Sequence, residues 1–141
     1  MSEGLVFHFN VDGENFTSAG QASVQIKKNL RQLGLPPEII RRVSIAMYEG
    51  EINMVIHAGG GHAEVRVNEE AIEIILEDNG PGIADINQAM QAGFSTAPDN
   101  IRSLGFGAGM GLPNMKRYTD HMEIESEVGK GTRITMRVNL S

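Results

Sequence analysis

The chain has 141 residues, 40% of them hydrophobic and 21% charged, with a formal net charge of −6 and no cysteine. That length suits one domain spanning 1–141 with a real core, and the composition is that of a globular chain and not a disordered one. The acidic balance argues against a broad basic face for nucleic acid, no apolar run approaches the roughly 20 residues of a membrane span, and the lack of cysteine excludes disulfides, thiolate metal sites and thiol nucleophiles. Met1 to Asn10 lacks the basic start and apolar core of a signal peptide, so the expected compartment is the cytoplasm.

In chain order, Leu5 to Phe9 reads as a short strand, and Thr17 or Ser18 can cap a helix that runs to Gly34. Pro36-Pro37 restarts the chain. Ile40, Val43, Met47 and Met54 then recur at helical spacing from about Glu38 to His57, and Gly59-Gly60-Gly61 ends that element. Ala63 to Val67 and Ala71 to Leu76 alternate like strands, with Asn68-Glu69-Glu70 as their hairpin connection. A short helix from Asp85 to Ala92 leads into a polar, glycine-bearing loop from Gly93 to Gly109, long enough to be functional or mobile. A helix follows from Leu112 to about Asp120, then strands near Met122 to Val128 and Thr132 to Asn139 joined by Gly129-Lys130-Gly131. This order predicts a two-layer α/β sandwich: a mixed, mostly antiparallel sheet with three main helices on one face.

Three segments carry the chemistry. Residues four apart share a helix face, so Glu49, Asn53 and His57 form one polar row while Glu51 points elsewhere. Asp78 ends a strand just before the glycine-bent turn Asn79-Gly80-Pro81-Gly82, where Gly80 and Gly82 let backbone turn and approach a ligand. Gly105, Gly107, Gly109 and Gly111 precede a helix, so N–H groups from Gly109 through Met110 and Gly111 to Leu112 can face phosphate with the helix dipole behind them. Their spacing matches neither a P-loop nor a dinucleotide fingerprint. Taken singly, the three segments also read as a solvated helix face, a hairpin turn and a flexible loop. Their order over one small chain describes a nucleotide site.

That order resembles the GHKL family of ATPases, named for gyrase, Hsp90, histidine kinases and MutL. The first box is Glu49-Gly50-Glu51-Ile52-Asn53-Met54-Val55-Ile56-His57, the second Asp78-Asn79-Gly80-Pro81-Gly82, and the third Gly107-Ala108-Gly109-Met110-Gly111-Leu112, with Gly129-Lys130-Gly131-Thr132 as a last element. The small size, the Glu-x-x-x-Asn-x-x-x-His spacing and the run Gly93-Phe94-Ser95-Thr96 look like the anti-sigma-factor and switch serine kinases of bacterial partner-switching systems. The resemblance implies the Bergerat ATP-binding fold, with nucleotide held between helices and sheet. It implies Glu49 as general base, Asn53 as magnesium ligand and His57 near nucleotide. Asp78 would accept from the adenine amino group, which selects ATP over GTP because guanine presents an acceptor there. Thr132 would support that recognition, and Ser95 and Thr96 resemble the hydroxyls at the entrance of a lid over the phosphates. Arg102 and Lys116 are further candidate phosphate contacts.

The expected function is therefore an ATP- and magnesium-dependent serine/threonine protein kinase. The implied acceptor lies on a STAS-domain antagonist protein, and a sigma factor or another regulatory enzyme is the competing partner. Two other readings use the same pocket: an ATP-gated binding module without phosphoryl transfer, and the detached catalytic domain of a histidine kinase. The resemblance also allows a homodimer, for which no stripe in the sequence marks an interface. Neither nucleic acid nor membrane is expected as a partner.

Overall fold

The alternation of apolar and polar residues in five segments dictates strands with one covered face, and a computed structural model places them in a single sheet. It describes residues 4–12, 20–80, 82 and 111–140. The elements are β1 (Leu5–Asp12), α1 (Gln21–Gln32), α2 (Pro37–Ala58), β2 (Gly60–Val67), β3 (Ala71–Asp78), α3 (Gly111–Arg117), β4 (His121–Glu127) and β5 (Gly131–Asn139). The sheet order is β1-β2-β3-β5-β4 and every neighbouring pair is antiparallel. The expected sandwich with a mostly antiparallel sheet is found, and among the described strands no pair is parallel. The expected short helix over 85–92 and the loop over 93–109 lie outside the described residues.

The core forms between the sheet and the three helices. Ile72, Ile74 and Leu76 of β3 point to one face with Val65, Met136 and Val138, and all six are almost fully buried. Ile26 and Leu30 of α1, Val43, Met47 and Met54 of α2, and Met115 of α3 close over them. The opposite face of the sheet carries ion pairs between strands, such as Arg133 to Glu77 at 3.9 Å and His8 to Glu64 at 3.6 Å. Exposed pairs of this kind contribute little stability, so burial on the helix side holds the sheet. No helix among the described residues is long and apolar enough to cross a membrane.

Local chemistry explains most of the boundaries. The β2–β3 hairpin closes as expected because the Asn68 carboxamide oxygen accepts the N–H groups of Glu70 and Ala71, at 2.8 and 2.9 Å. Pro37 opens α2, where its missing N–H has no cost, and Glu38 sits in the first turn against the positive end of the dipole. Gly60 and Gly61, expected to end the helix with Gly59, instead begin β2 by pairing with Asp12 and Val11.

The start of α1 is capped from a distance. Gly20 occupies the N-cap without a side chain to offer, and Thr17 and Ser18, the expected caps, lie outside the described residues. The carboxylate of Glu51, only 2% exposed on α2, accepts the N–H groups of Gly20, Ala22 and Ser23 at 3.0, 3.2 and 2.7 Å. A charged acceptor at a helix N-terminus satisfies orphan donors and complements the dipole. Glu51→Ala would leave those donors buried and unpaired, so thermal unfolding should show a loss of about 2 kcal/mol or more, or roughly 6 °C in Tm for a chain of this size.

A second tie joins the far end of α2 to the β4–β5 side. Arg42 donates to the Tyr118 carbonyl at 3.0 Å and pairs with Asp120 at 3.1 Å, while the other oxygen of Asp120 accepts the Asn139 N–H at 2.7 Å. The Asn139 N–H, aided by Arg42, holds the Asp120 carboxyl below its ordinary range against the opposing effect of burial. A carboxylate with a depressed folded-state pKa stabilises the fold at any pH above its unfolded value of about 3.9, and that contribution disappears as pH falls through the folded value. Asp120→Asn should therefore be less stable than the parent at neutral pH. Denaturant titrations should find the difference closing below about pH 4.

Candidate nucleotide site

The site is assembled where α2 runs alongside β3. Gly50 faces Leu76, and one turn later the sulfur of Met54 lies 2.8 Å from where a Cβ on Gly61 would stand, with the Asp78 Cβ at 3.1 Å from the same point. The polar row of α2 and the carboxyl end of β3 thus come to one end of the sandwich. Glu49 is half-buried, and its Oε2 accepts a hydrogen bond from the Asn114 carboxamide on α3. Its Oε1 has no partner among the described residues. Asn53 is half-buried one turn further on, also without a side-chain hydrogen bond among the described residues. The backbone of His57 belongs to the same helix, and its side chain lies outside the described residues.

Asp78 closes β3 opposite Thr132 of β5. Its Oδ1 accepts the N–H of Gly80 at 2.9 Å, which bends the chain into the turn, and the N–H of Thr132 at 3.2 Å. Both bonds fall on one oxygen. Oδ2 is left as a free acceptor among the described residues, on a half-buried side chain. Thr132 is buried and meets Asp78 through its backbone, while its hydroxyl pairs with that of Ser126 at 2.9 Å.

Gly131 makes this junction feasible. Its φ of 132° is in the region that favours glycine, and an added Cβ would stand 2.1 Å from the Asp78 carbonyl oxygen. Gly82 packs against the β4–β5 hairpin, the Glu127 carbonyl lying 2.4 Å from where its Cβ would be, so only a residue without a side chain fits there.

Of the glycine-rich segment, Gly111 opens α3 and Leu112 is buried in the core. Gly107, Gly109 and Met110 lie outside the described residues, as do Pro81, Ser95, Thr96 and Arg102. Lys116 is exposed in the last turn of α3. The structure thus brings Glu49, Asn53, Asp78, Gly80 and Thr132 to one end, with α3 beside them. It adds Asn114, for which no motif in the sequence speaks. An Asn inside a helix competes with the backbone for hydrogen bonds and is a weak sign of a side-chain partner.

Comparison with known proteins places this geometry. Residues 38–141 match the family model described as "Histidine kinase-, DNA gyrase B-, and HSP90-like ATPase". The chain belongs to that family, as the resemblance in its sequence implied. Within it, the chain is 34% identical over 118 residues to "Serine/threonine-protein kinase RsbT" of Bacillus subtilis (strain 168), covering 80% of this chain and 83% of the relative. It is also 34% identical over 125 residues to "Anti-sigma F factor" of Clostridium novyi (strain NT), covering 84% of each. A Clostridium perfringens (strain SM101 / Type A) protein of the latter name is 30% identical over 147 residues, covering 100% of this chain and 99% of its own.

Two solved structures share the fold at 15% sequence identity. The RsbU and RsbW domains of Rv1364c from Mycobacterium tuberculosis superpose with a TM-score of 0.64 over 96% of this chain and 32% of theirs. The mycobacterial sensor histidine kinase MprB superposes with a TM-score of 0.54 over 96% and 97%.

Asp78→Asn separates the two carboxylate oxygens. The amide can keep its oxygen toward Gly80 and Thr132, which turns its NH2 outward, so an adenine amino group at Oδ2, where the family resemblance would put it, would meet a donor instead of an acceptor. Titration calorimetry should find an intact fold with ATP affinity reduced about 10- to 100-fold, and the parent should prefer ATP to GTP.

Proposed function

We propose that the chain is an ATP-dependent protein serine/threonine kinase whose substrate is a small regulatory protein, acting in the cytoplasm. The observation that carries this reading is the Glu49 carboxylate, fixed at Oε2 by Asn114 and open at Oε1, on the helix that packs beside Asp78. The similarity to a serine/threonine kinase over most of both chains supports it.

In this reading Asp78 Oδ2 accepts from the adenine amino group, the turn at Gly80 and Gly82 lies along the base, and Thr132 braces Asp78 from β5. His57 completes the row of α2 toward the nucleotide. Backbone N–H groups at Gly107, Gly109, Met110, Gly111 and Leu112 face the phosphates, with Ser95 and Thr96 as hydroxyl donors. Neither Glu49 nor Asp78 has a cationic partner among the described residues, so a triphosphate placed between them needs a counter-cation. The half-buried carboxamide of Asn53 fits magnesium, which takes few protein ligands and supplies charge neutralisation on the phosphate oxygens. Glu49 Oε1 takes the proton of the acceptor hydroxyl as its oxygen bonds to the γ-phosphorus and the bond to the β-phosphate oxygen breaks, releasing ADP.

The substrate in this reading is a STAS-type antagonist protein. Relatives named anti-sigma F factor support a sigma factor as the other partner, bound in a nucleotide-dependent way. Glu49→Gln keeps the shape and loses the proton acceptor, so it should bind ATP nearly as the parent does. Its transfer of labelled phosphate to a STAS-domain protein of the same genome should fall about 10²- to 10⁴-fold. Equal rates for variant and parent would remove Glu49 as the base. A parent that binds ATP and a sigma factor yet labels no STAS protein would make the ATP-gated binding module the better description.

A further inference from the structure

Eighteen acidic residues face twelve Lys and Arg in this chain, yet α1 has no acidic residue and carries Lys27, Lys28 and Arg31. Lys27 and Arg31 stand one turn apart, exposed, and neither has an ion pair among the described residues. A basic stripe that the rest of an acidic molecule does not neutralise is a local field with a use.

The stripe borders an open groove between α1 and α2, on the side of the helix layer away from the sheet. One part, of about 560 Å³, has Lys27, Arg31 and Arg41 along it and Leu35, Ile40 and Ile45 as apolar floor. The next part, of about 340 Å³, shares Lys27, Ser44 and Ile45 and runs between Val24 and Tyr48 to Glu49. Val24 is 51% and Tyr48 41% exposed. Arg41 is already engaged by Glu38, at 3.1 Å, so the uncompensated charge is that of Lys27 and Arg31.

We infer that this groove is the docking site for the substrate protein, and that the segment it takes is acidic, with apolar side chains on the floor and its acceptor hydroxyl at the Glu49 end. The inference rests on the kinase reading above and deepens it by stating the chemistry of the substrate. Charge complementarity chooses the occupant: on a chain of net charge −6, Lys27 and Arg31 give this groove a basic rim without ion pairs among the described residues, which attracts an acidic segment and sets its orientation. Helix geometry sets the spacing. Lys27 and Arg31 line the groove together with Ile45 and Arg41 of α2, and from those two positions to Glu49 is about 6 to 12 Å along the helix, which an extended segment crosses in about two to four residues. The acidic residues of the substrate thus lie about that far from the Ser or Thr that receives the phosphate.

The probe is a fluorescein-labelled peptide with two Asp residues set at that spacing from a single Ser, beside the same peptide with Lys in place of Asp. Fluorescence anisotropy should find the acidic peptide bound at least about tenfold more tightly than the basic one, with affinity falling as salt rises. The double variant K27E/R31E should abolish that preference while melting and ATP titration stay at parental values. K27Q/R31Q serves if the reversal unfolds the chain, and should remove the preference without inverting it. Equal binding of the two peptides overturns the inference, as does an unchanged preference in the folded double variant. So does an oligonucleotide that displaces the acidic peptide on equal terms. The two readings fail separately: salt-sensitive binding without any phosphoryl transfer keeps the groove and removes the kinase, whereas transfer to a STAS protein that K27E/R31E leaves at the parental rate removes the groove and keeps the kinase.

Discussion

The approach of α2 to β3 at Gly50 is the constraint on which the rest of the arrangement depends. A Cβ on this residue would stand 2.1 Å from Leu76 Cδ1 and 3.5 Å from Met115 Sδ. Leu76 and Met115 are both buried in the core, where packing is dense, so a Cβ here would displace the Leu76 methyl. With no side chain at position 50, the helix backbone rests directly on the sheet. Its two flanking carboxylates are then carried to opposite sides, Glu49 toward Asn114 on α3 and Glu51 toward the first turn of α1. The close approach at Gly50 lets α2 carry one glutamate to the α1 cap and the other to Asn114 on α3.

The β3–β5 junction is the matching support on the sheet side. Asp78 is held by two backbone donors on one oxygen, and neither donor comes from a side chain that could swing away. The close passage of Gly131 against the Asp78 carbonyl keeps the two strands in register where the pairing ends. A carboxylate held in this way presents its second oxygen in a fixed direction, which is the preorganisation a selective acceptor needs. Site and core are therefore one construction: the residues that close the end of the sandwich also aim the polar atoms.

Much of this was legible in the sequence because it follows from short-range rules. The Glu49–Asn53 row depends only on helical spacing, and Asp78 was placed at a strand end by the alternation of Ala71 to Leu76. The Asn68 hairpin was readable from its composition. What was not legible depends on contacts between distant segments. Glu51 reaches residues 28 to 31 positions away, and Asn114 reaches Glu49 across 65. The triple glycine after α2 was read as punctuation because glycine breaks helices. Antiparallel pairing with β1 then overrode that local preference and drew Gly60 and Gly61 into β2. The basic stripe on α1 was invisible for another reason: its charges average away in a net charge of −6, and only the fold isolates them on one rim.

Asn114 deserves weight in the mechanism because of the helix it stands on. Under the kinase reading, α3 begins with the backbone that faces the phosphates, so the residue that fixes the base belongs to the same rigid turn as the groups that fix the γ-phosphate. Phosphoryl transfer asks little covalent chemistry of a protein and much positioning, since the transition state is loose and its charge lies on the phosphate oxygens. A misplacement of about 1 Å between hydroxyl, base and phosphorus can cost about two orders of magnitude in rate. Binding the base to the phosphate-facing helix removes that freedom. Glu49 is set by two supports at once, the Gly50 contact below it and Asn114 beside it, and in the kinase reading both must hold for Oε1 to face the incoming hydroxyl.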